Sequence, residues 1–312
     1  MKKNIFILGS TGVGKSSLAL KISQELNKNS TSTAIVNADS LQFYKGLDIG
    51  TAKPSKKEML LSPHLLFDCI NYPNEATVAW YYEQFFLTLN NHSCNNFLTV
   101  GGSGFYIQAL EKGLYDDYKV SLKIKEKYEN MCKKEGPEFL HKILIKKDTK
   151  TADKISNKDR YRVVRALSVI EASGKMLSTI KEEFDLQKSK TSFPYLLQKI
   201  ALFLERDELK KLLLTRIQSM LKKGFIEEVE YLVKKGQKNW KPLSSIGYKE
   251  VQLYLLGQID KCELTNLILN SSMSLAKRQS TWFKRDKTIQ WFHAADELNK
   301  AEKSICNFLQ KS

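Results

Sequence analysis

The chain has 312 residues, an apolar fraction of 42% and a formal net charge of +16. A chain of this length can bury a large core, as one domain with an insertion or as two domains, and the apolar fraction is ordinary for a soluble globular protein. There is no run of 18 apolar residues and no leader cleavage pattern, so we predict no membrane association. The five cysteines form no C-x-x-C pair, which argues against a structural zinc and favours a reducing, cytoplasmic location.

The first predicted strand, Ile5–Leu8, leads into an octet that fits G-x-x-x-x-G-K-[ST], and a helical segment follows from Ser17. In this context glycines let backbone N–H groups face an anion, and the helix N-terminus adds partial positive charge. Lys15 suits the outer phosphate, and the Ser16 hydroxyl suits Mg²⁺. A di- or triphosphate site is therefore predicted, with a chance glycine-rich turn as the alternative. The octet is Gly9, Ser10, Thr11, Gly12, Val13, Gly14, Lys15 and Ser16.

Short apolar strands alternate with helical stretches through the rest of the first half and return near the C-terminus. This alternation predicts an α/β fold, a P-loop NTPase-like parallel sheet core flanked by helices. We assign residues 1–116 and 196–312 to this core, with C-terminal helices. The further predicted strands are Ala34–Val36, Leu65–Phe67, Phe97–Val100, Lys199–Leu204 and Thr288–Phe292, and helices are predicted near Ala79–Leu89 and from Gly104.

Residues 117–195 interrupt this pattern with a helical period and no convincing strand. They contain 19 Lys or Arg and 12 Asp or Glu, a net charge of +7. We therefore predict a basic helical insertion domain with a polyanionic partner, most simply nucleic acid. Arg162 and Arg165 are three residues apart, so they share one side of a helix and could bracket a phosphate. A solvated helix face is the alternative interpretation of this pair.

Two carboxylates follow predicted strands, Asp39 and Asp68, and either could hold Mg²⁺ in a kinase or an ATPase. Asp39 is followed by Ser40, Leu41 and Gln42. A carboxylate with hydroxyl and amide groups beside it could accept a proton and read the edge of a nucleobase. The alternative for Asp39 is an Asx-turn that closes the strand.

The segment Asp39–Pro54 resembles the DSxQxYxxxDIGTAKP block of bacterial-type tRNA dimethylallyltransferases, which isopentenylate adenosine next to the anticodon. Seven further blocks fit in the same order and cover essentially the whole chain. They are Pro63–Asp68, Gly101–Tyr106, Asp159–Leu167, Met220–Val229, Ile246–Glu250, Ala276–Phe283 and the octet itself.

This resemblance implies that the octet holds the diphosphate of dimethylallyl diphosphate rather than ATP. Thr11, Lys15, Mg²⁺ at Ser16 and a clamp at Arg216 would stabilise the departing diphosphate. Asp39 would accept the proton from N6 of adenosine 37 as general base.

The same resemblance implies contacts with the anticodon loop of tRNA, and we expect the protein to act as a monomer. The stretch Lys277–Arg285 interleaves basic and aromatic residues, which suits stacking combined with backbone contact. The expected contact residues are Asp39, Ser40, Leu41, Gln42, Ser103, Lys123, Tyr161, Arg162, Val163, Val164, Arg165, Gly247, Tyr248, Lys249, Lys277 and Arg278.

Three other functions would each explain part of the sequence. A nucleotide or small-molecule kinase would explain the octet and Asp68, but not the basic insertion. An isopentenyltransferase for free adenine nucleotides has little use for a 79-residue basic insertion. A non-catalytic RNA-binding module would leave the phosphate loop idle.

Overall fold

The computed structural model describes residues 1–29, 31–114, 120–187 and 193–310. The chain forms two compact units, one made of Met1–Leu110 with Pro194–Ser312 and the other of Glu111–Phe193. The predicted start of the insertion, at residue 117, lies outside the described residues. Among those described, no helix is long and apolar enough to cross a membrane.

The larger unit is built on a six-stranded, all-parallel sheet with the strand order β3-β2-β4-β1-β5-β6. The predicted α/β fold is thereby confirmed. The third strand is two residues long and shares only Leu65 with the predicted Leu65–Phe67, because Leu66 and Asp68 adopt positive φ angles of 61° and 52°. The strands are β1 Lys3–Gly9, β2 Thr33–Asn37, β3 His64–Leu65, β4 Asn96–Val100, β5 Leu196–Phe203 and β6 Gln290–His293.

Helices connect the strands and extend the chain beyond the sheet. In chain order they are α1 Lys15–Lys28, α2 Lys56–Leu61, α3 Val78–Asn91, α4 Gly104–Lys112, α5 Leu122–Glu135, α6 Pro137–Lys147, α7 Thr149–Ala152, α8 Arg160–Ser173, α9 Leu177–Gln187, α10 Arg206–Lys222, α11 Phe225–Lys234, α12 Tyr248–Leu255, α13 Lys261–Phe283 and α14 Leu298–Gln310.

The core of the larger unit forms where the sequence pattern predicts it. The residues of the first strand from Ile5 to Leu8 are fully buried. The apolar face of α1, Leu18, Ala19, Ile22 and Leu26, is at most 2% exposed. Burial of each such large side chain contributes about 1.5–3 kcal/mol to stability. This packing holds β1 and α1 in place and therefore fixes both ends of the loop between them.

The smaller unit is helical and has a hydrophobic core of its own, to which Tyr128, Leu140 and Leu167 belong. The buried Asp148 caps α7, accepting hydrogen bonds from the amide (3.0 Å) and the hydroxyl (2.7 Å) of Thr151. The same carboxylate accepts a bond of 2.8 Å from the amide of Ser178 in α9. A buried carboxylate whose oxygens accept from three donors holds these helices together and is not left without hydrogen-bond partners.

At the carboxyl edge of the sheet, the segments after β1, β2 and β4 approach one another closely. The amide of Ala38 donates to the carbonyl of Val100 at 2.8 Å, and that of Gly101 donates to the carbonyl of Ile7 at 3.3 Å. A Cβ atom on Gly101 would lie 2.2 Å from the Ala38 carbonyl oxygen. Only glycine fits here, because the neighbour is backbone that cannot rotate away.

We therefore expect Gly101→Ala to lower the free energy of unfolding by about 1–3 kcal/mol or more, since the added methyl group must push two strand ends apart. Denaturant titration of the purified variant measures the loss. The control is Asn91→Ala, an exposed position at the end of α3 that should change stability by less than about 0.5 kcal/mol. Equal stability of the two variants would contradict the close approach.

Candidate active site

The loop between β1 and α1 has the backbone geometry of an anion-binding turn. Gly9, Gly12 and Gly14 have positive φ angles of 134°, 86° and 94°. Gly14 is the N-cap of α1, so the amide groups that follow it belong to the open helix end. A Cβ atom on Gly9 would lie 2.4 Å from the Leu202 carbonyl oxygen, which excludes any larger residue. These features are those that bind a phosphate group.

Three charged groups share the space beside this loop. The ammonium group of Lys15 donates to the carbonyl of Ser10 at 2.6 Å. Burial lowers the pKa of Lys15 to about 8; the Asp39 carboxylate opposes this shift and the Arg216 guanidinium adds to it. Burial also lowers the pKa of Arg216, again against the attraction of Asp39. Two partly desolvated cations thus lie near one carboxylate.

Asp39 is held in a network of hydrogen bonds just past the end of β2. Its amide donates to the side-chain oxygen of Asn37 at 2.8 Å, and its Oδ1 accepts from the amide of Leu41 at 3.0 Å. The Asx-turn interpretation is therefore confirmed for Oδ1. It does not exclude a chemical role, because the carboxylate also lines the cavity described next.

A cavity of about 440 Å³ brings many of the predicted residues together. This size suits a small ligand. The lining residues that the sequence predicted are Thr11, Asp39, Ser40, Leu41, Ser103, Arg216, Gly247 and Arg278. The other lining residues are Gly50, Thr51, Gly102, Gly104, Phe105, Tyr106, Leu213, Ile217, Met220, Ile246, Ile268, Ser272, Leu275, Gln279 and Trp282.

The loop around Gly50 lines one side of this cavity, and the side chain of Glu228 in α11 holds the loop in place. The Glu228 carboxylate accepts from the amides of Asp48 (3.0 Å), Ile49 (2.7 Å) and Gly50 (3.2 Å), and from the Tyr248 hydroxyl (2.7 Å). Sequence reasoning assigned no role to Glu228, whose signal in the sequence is its place in the block Met220–Val229.

This loop also orients the predicted clamp. The carbonyl of Thr51 accepts a hydrogen bond of 3.4 Å from Arg216 and one of 3.1 Å from the Gln42 amide. Gln42 is only 9% exposed and does not line the cavity, and its contact with RNA stays a prediction. It supports the loop that holds Arg216.

The structure also shows the surroundings of three other predicted residues, Asp68, Tyr248 and Lys249. Asp68 binds the buried ammonium group of Lys53 at 2.5 Å, together with Asp48 at 2.6 Å, so it is paired rather than free for Mg²⁺. Tyr248 is fully buried, with its hydroxyl on Glu228, and its side chain is not available to RNA. Lys249 is exposed and pairs with Glu250 at 3.5 Å.

Within the smaller unit, the predicted RNA-contacting residues separate into two groups. Val163 and Val164 lie in the hydrophobic core, which corrects the prediction for their side chains. Lys123 is exposed and Tyr161 is 74% exposed. Arg162 is exposed and pairs with Asp159 at 3.4 Å, and Arg165 is partly exposed. The second group therefore presents cations and an aromatic ring at the surface of α5 and α8.

Gln279 in α13 touches two loops of the site, and the sequence prediction did not assign it a role. Its Oε1 accepts from the amide of Thr11 at 2.8 Å, and its Nε2 donates to the carbonyl of Gly102 at 3.0 Å. It lies next to Arg278, which lines the cavity, and to Lys277, which is exposed. Its only signal in the sequence was its place in the block Ala276–Phe283.

Fold and site together define a P-loop α/β protein with a carboxylate and two cations beside its phosphate-binding loop. Residues 42–286 match the family model described as IPP transferase. A tRNA dimethylallyltransferase of Bdellovibrio bacteriovorus is 41% identical over 308 residues, 98% of each chain. The chain belongs to the IPP transferase family.

Solved structures show the same architecture. The full-length tRNA isopentenylpyrophosphate transferase of Bacillus halodurans is 28% identical, with a TM-score of 0.68 over 99% of this chain and 97% of that one. A eukaryotic dimethylallyltransferase acting on tRNA is 24% identical, with a TM-score of 0.81 over 98% of this chain and 78% of that one. Because only 24% of its residues are identical, the eukaryotic structure shows a shared fold and nothing more.

The pKa of Lys15 predicts a pH dependence for pyrophosphate binding. In the free protein Lys15 is charged below about pH 8 and neutral above it. A bound anion favours the charged form and raises this pKa, so affinity is lost as pH rises above 8, by up to about tenfold per pH unit. Calorimetric titration with pyrophosphate from pH 7 to 9.5 measures the dependence.

Lys15→Arg is the control, because its guanidinium stays charged and the ligand's own titration is common to both proteins. The ratio of the two affinities should change above pH 8. A ratio that is constant across the range would contradict the assignment of Lys15 to the anion site.

Proposed function

We propose that the protein transfers the dimethylallyl group of dimethylallyl diphosphate to N6 of adenosine 37 in tRNA, with Asp39 as general base. Membership of the IPP transferase family makes the protein a prenyltransferase. The observation that carries the finer proposal is the placement of Asp39 in one cavity with Thr11 and Arg216, electrostatically coupled to Lys15.

The donor's diphosphate would lie on the loop Gly9–Ser16, and the two cations favour its departure. Breaking the bond between carbon and oxygen leaves extra negative charge on the diphosphate. With the diphosphate on this loop, Lys15 and Arg216 would lie beside the developing charge, in a partly buried site where charge interactions are stronger than in water. Thr11 lies at the start of the loop and lines the cavity, where it can contact the same group.

The residues present fit Mg²⁺ as a partner of the diphosphate. The Ser16 hydroxyl is exposed in the first turn of α1, next to Lys15. Mg²⁺ binds few protein groups and completes its octahedral shell with phosphate oxygens and water, so one hydroxyl is a sufficient protein ligand. When bound, Mg²⁺ would neutralise charge on the leaving diphosphate.

The acceptor amine needs a base, and Asp39 supplies one. The lone pair of N6 is delocalised into the adenine ring, so the amine is a weak nucleophile until it loses a proton. The turn at Asn37 and Leu41 fixes the Asp39 carboxylate, leaving Oδ2 to accept this proton. A positioned general base contributes about 10²–10⁴ to the rate.

An adenosine in an anticodon loop must unstack before its amine can reach such a base, at a cost of a few kcal/mol. Contacts with the RNA backbone offset this cost. In the larger unit the candidates are Ser40, Ser103, Lys277 and Arg278, and in the smaller unit they are Lys123, Tyr161, Arg162 and Arg165. The basic charge of residues 117–195, +7, favours a polyanionic acceptor over a free nucleotide.

Mass spectrometry of nucleosides tests this function. The protein is incubated with unmodified tRNA, Mg²⁺ and dimethylallyl diphosphate, and the tRNA is then digested. We expect N6-dimethylallyladenosine among the nucleosides and release of diphosphate. Preferential prenylation of AMP would favour the free-nucleotide enzyme, and turnover of ATP without an allylic donor would favour a kinase; either result would refute the proposal.

Asp39→Asn should lower the single-turnover rate by about 10² or more, because the amide keeps the turn but cannot accept a proton. Its apparent tRNA affinity should change little. Asp207→Asn is the control, since Asp207 is exposed at the start of α10. Equal rates for the two variants would reduce Asp39 to a positioning role.

Arg162→Ala combined with Arg165→Ala should raise the KM for tRNA and flatten its salt dependence by up to about two charge units, while pyrophosphate binding is unchanged. A salt titration of tRNA binding gives the slope. Lys56→Ala with Lys57→Ala removes the same charge from an exposed helix start of the larger unit. If both pairs give the same slope, the arginines are only a solvated face.

A further inference from the structure

We propose that Gln279 is a positioning residue that sets the relative placement of the phosphate loop and the acceptor side of the site. This inference rests on the proposed function for its kinetic consequences. Its geometric basis is one side-chain amide that is hydrogen-bonded to both loops at once. The Thr11 amide lies 2.8 Å from Oε1, and the Gly102 carbonyl lies 3.0 Å from Nε2.

The two partners fix the orientation of the amide. A backbone N–H can only donate and a carbonyl can only accept, so the oxygen of Gln279 must face Thr11 and its NH₂ must face Gly102. A Cβ atom on Gly102 would lie 2.3 Å from Nε2, so the glycine permits this close approach. Leucine or methionine could fill the same space but could make neither bond.

The hydrogen-bonded connection made by Gln279 continues to the acceptor side of the site through Ser103, the residue after Gly102. The Ser103 hydroxyl accepts a hydrogen bond of 3.3 Å from the amide of Ser40, which directly follows Asp39. The segments that carry the proposed leaving-group site and the proposed base are therefore joined by Gln279, Gly102 and Ser103. A shift of any of these three residues would change the distance between the donor carbon and the amine.

A positioning residue of this kind acts on the chemical step more than on binding. The Thr11 amide donates to Gln279, so the phosphate site consists of the amides that follow Thr11 in the loop. Pyrophosphate should therefore still bind when Gln279 is replaced. Misplacement of about 1 Å between reacting groups can cost about 10² in rate. We expect Gln279→Met to lower kcat by about 10- to 100-fold, with KM values for donor and tRNA within about threefold.

Gln279→Glu tests the hydrogen bonds directly. A carboxylate still accepts from Thr11 but repels the Gly102 carbonyl, whereas a protonated carboxyl group accepts at one oxygen and donates from the other. The activity of Gln279→Glu relative to wild type should therefore rise as pH falls, and that of Gln279→Met should not. The controls are Gln258→Met and Gln258→Glu, since Gln258 is exposed after α12.

Hydrogen exchange gives a readout that does not need activity. Amide exchange in the peptide that contains Thr11 should be faster in Gln279→Met than in Gln258→Met, while both proteins keep their thermal unfolding midpoint within a few degrees. Unchanged exchange at Thr11 would overturn the bridge even if the wild type proves inactive.

Kinetic results separate the two proposals. If the wild type does not prenylate tRNA, the proposed function fails. If it does, a rise in either KM with constant kcat would make Gln279 a binding contact, and parallel pH profiles for Gln279→Glu and Gln279→Met would show that packing alone matters. Either outcome would contradict a positioning role.

Discussion

The site depends on two cations held near one carboxylate without full solvation. Burial lowers the pKa of both Lys15 and Arg216, and Asp39 opposes each shift. An anionic ligand on the loop compensates this unfavourable charge better than water does, because charges interact more strongly where water is excluded. In the proposed reaction, the same cations would counter the charge that develops when the donor bond breaks. The surrounding fold keeps these three groups in place before any substrate arrives.

Each group is held by a different part of the chain. Lys15 follows β1, Asp39 follows β2, and Arg216 lies in α10, beyond the helical insertion. The parallel sheet brings the first two to one edge, as ligand sites at the carboxyl ends of parallel strands require. Arg216 is placed by a chain of backbone contacts: Glu228 fixes residues 48–50, and Thr51 then accepts from the guanidinium.

The sequence predicted the sheet and the phosphate loop well, because apolar runs and a glycine octet are local signals. It located Asp39 from its place after a predicted strand and Ser103 and Arg216 from the family resemblance, and the structure brings them into one cavity. It did not reveal that the polar ends of Gln42 and Tyr248 make internal hydrogen bonds, since a motif does not show which way a side chain points. It missed Glu228 and Gln279, because most of their partners are backbone atoms far away in the sequence, which no residue pattern encodes.

The most direct test of the leaving-group site is a crystal structure with an unreactive donor, dimethylallyl diphosphate in which sulfur replaces the bridging oxygen, together with Mg²⁺ and an anticodon stem-loop. We expect the diphosphate on the amides of residues 12–16, with Lys15 and Arg216 within hydrogen-bond distance of its oxygens. We also expect the first carbon of the allyl group between the diphosphate and the adenine N6 beside Asp39. A diphosphate bound away from the loop, or an N6 atom turned away from Asp39, would contradict it.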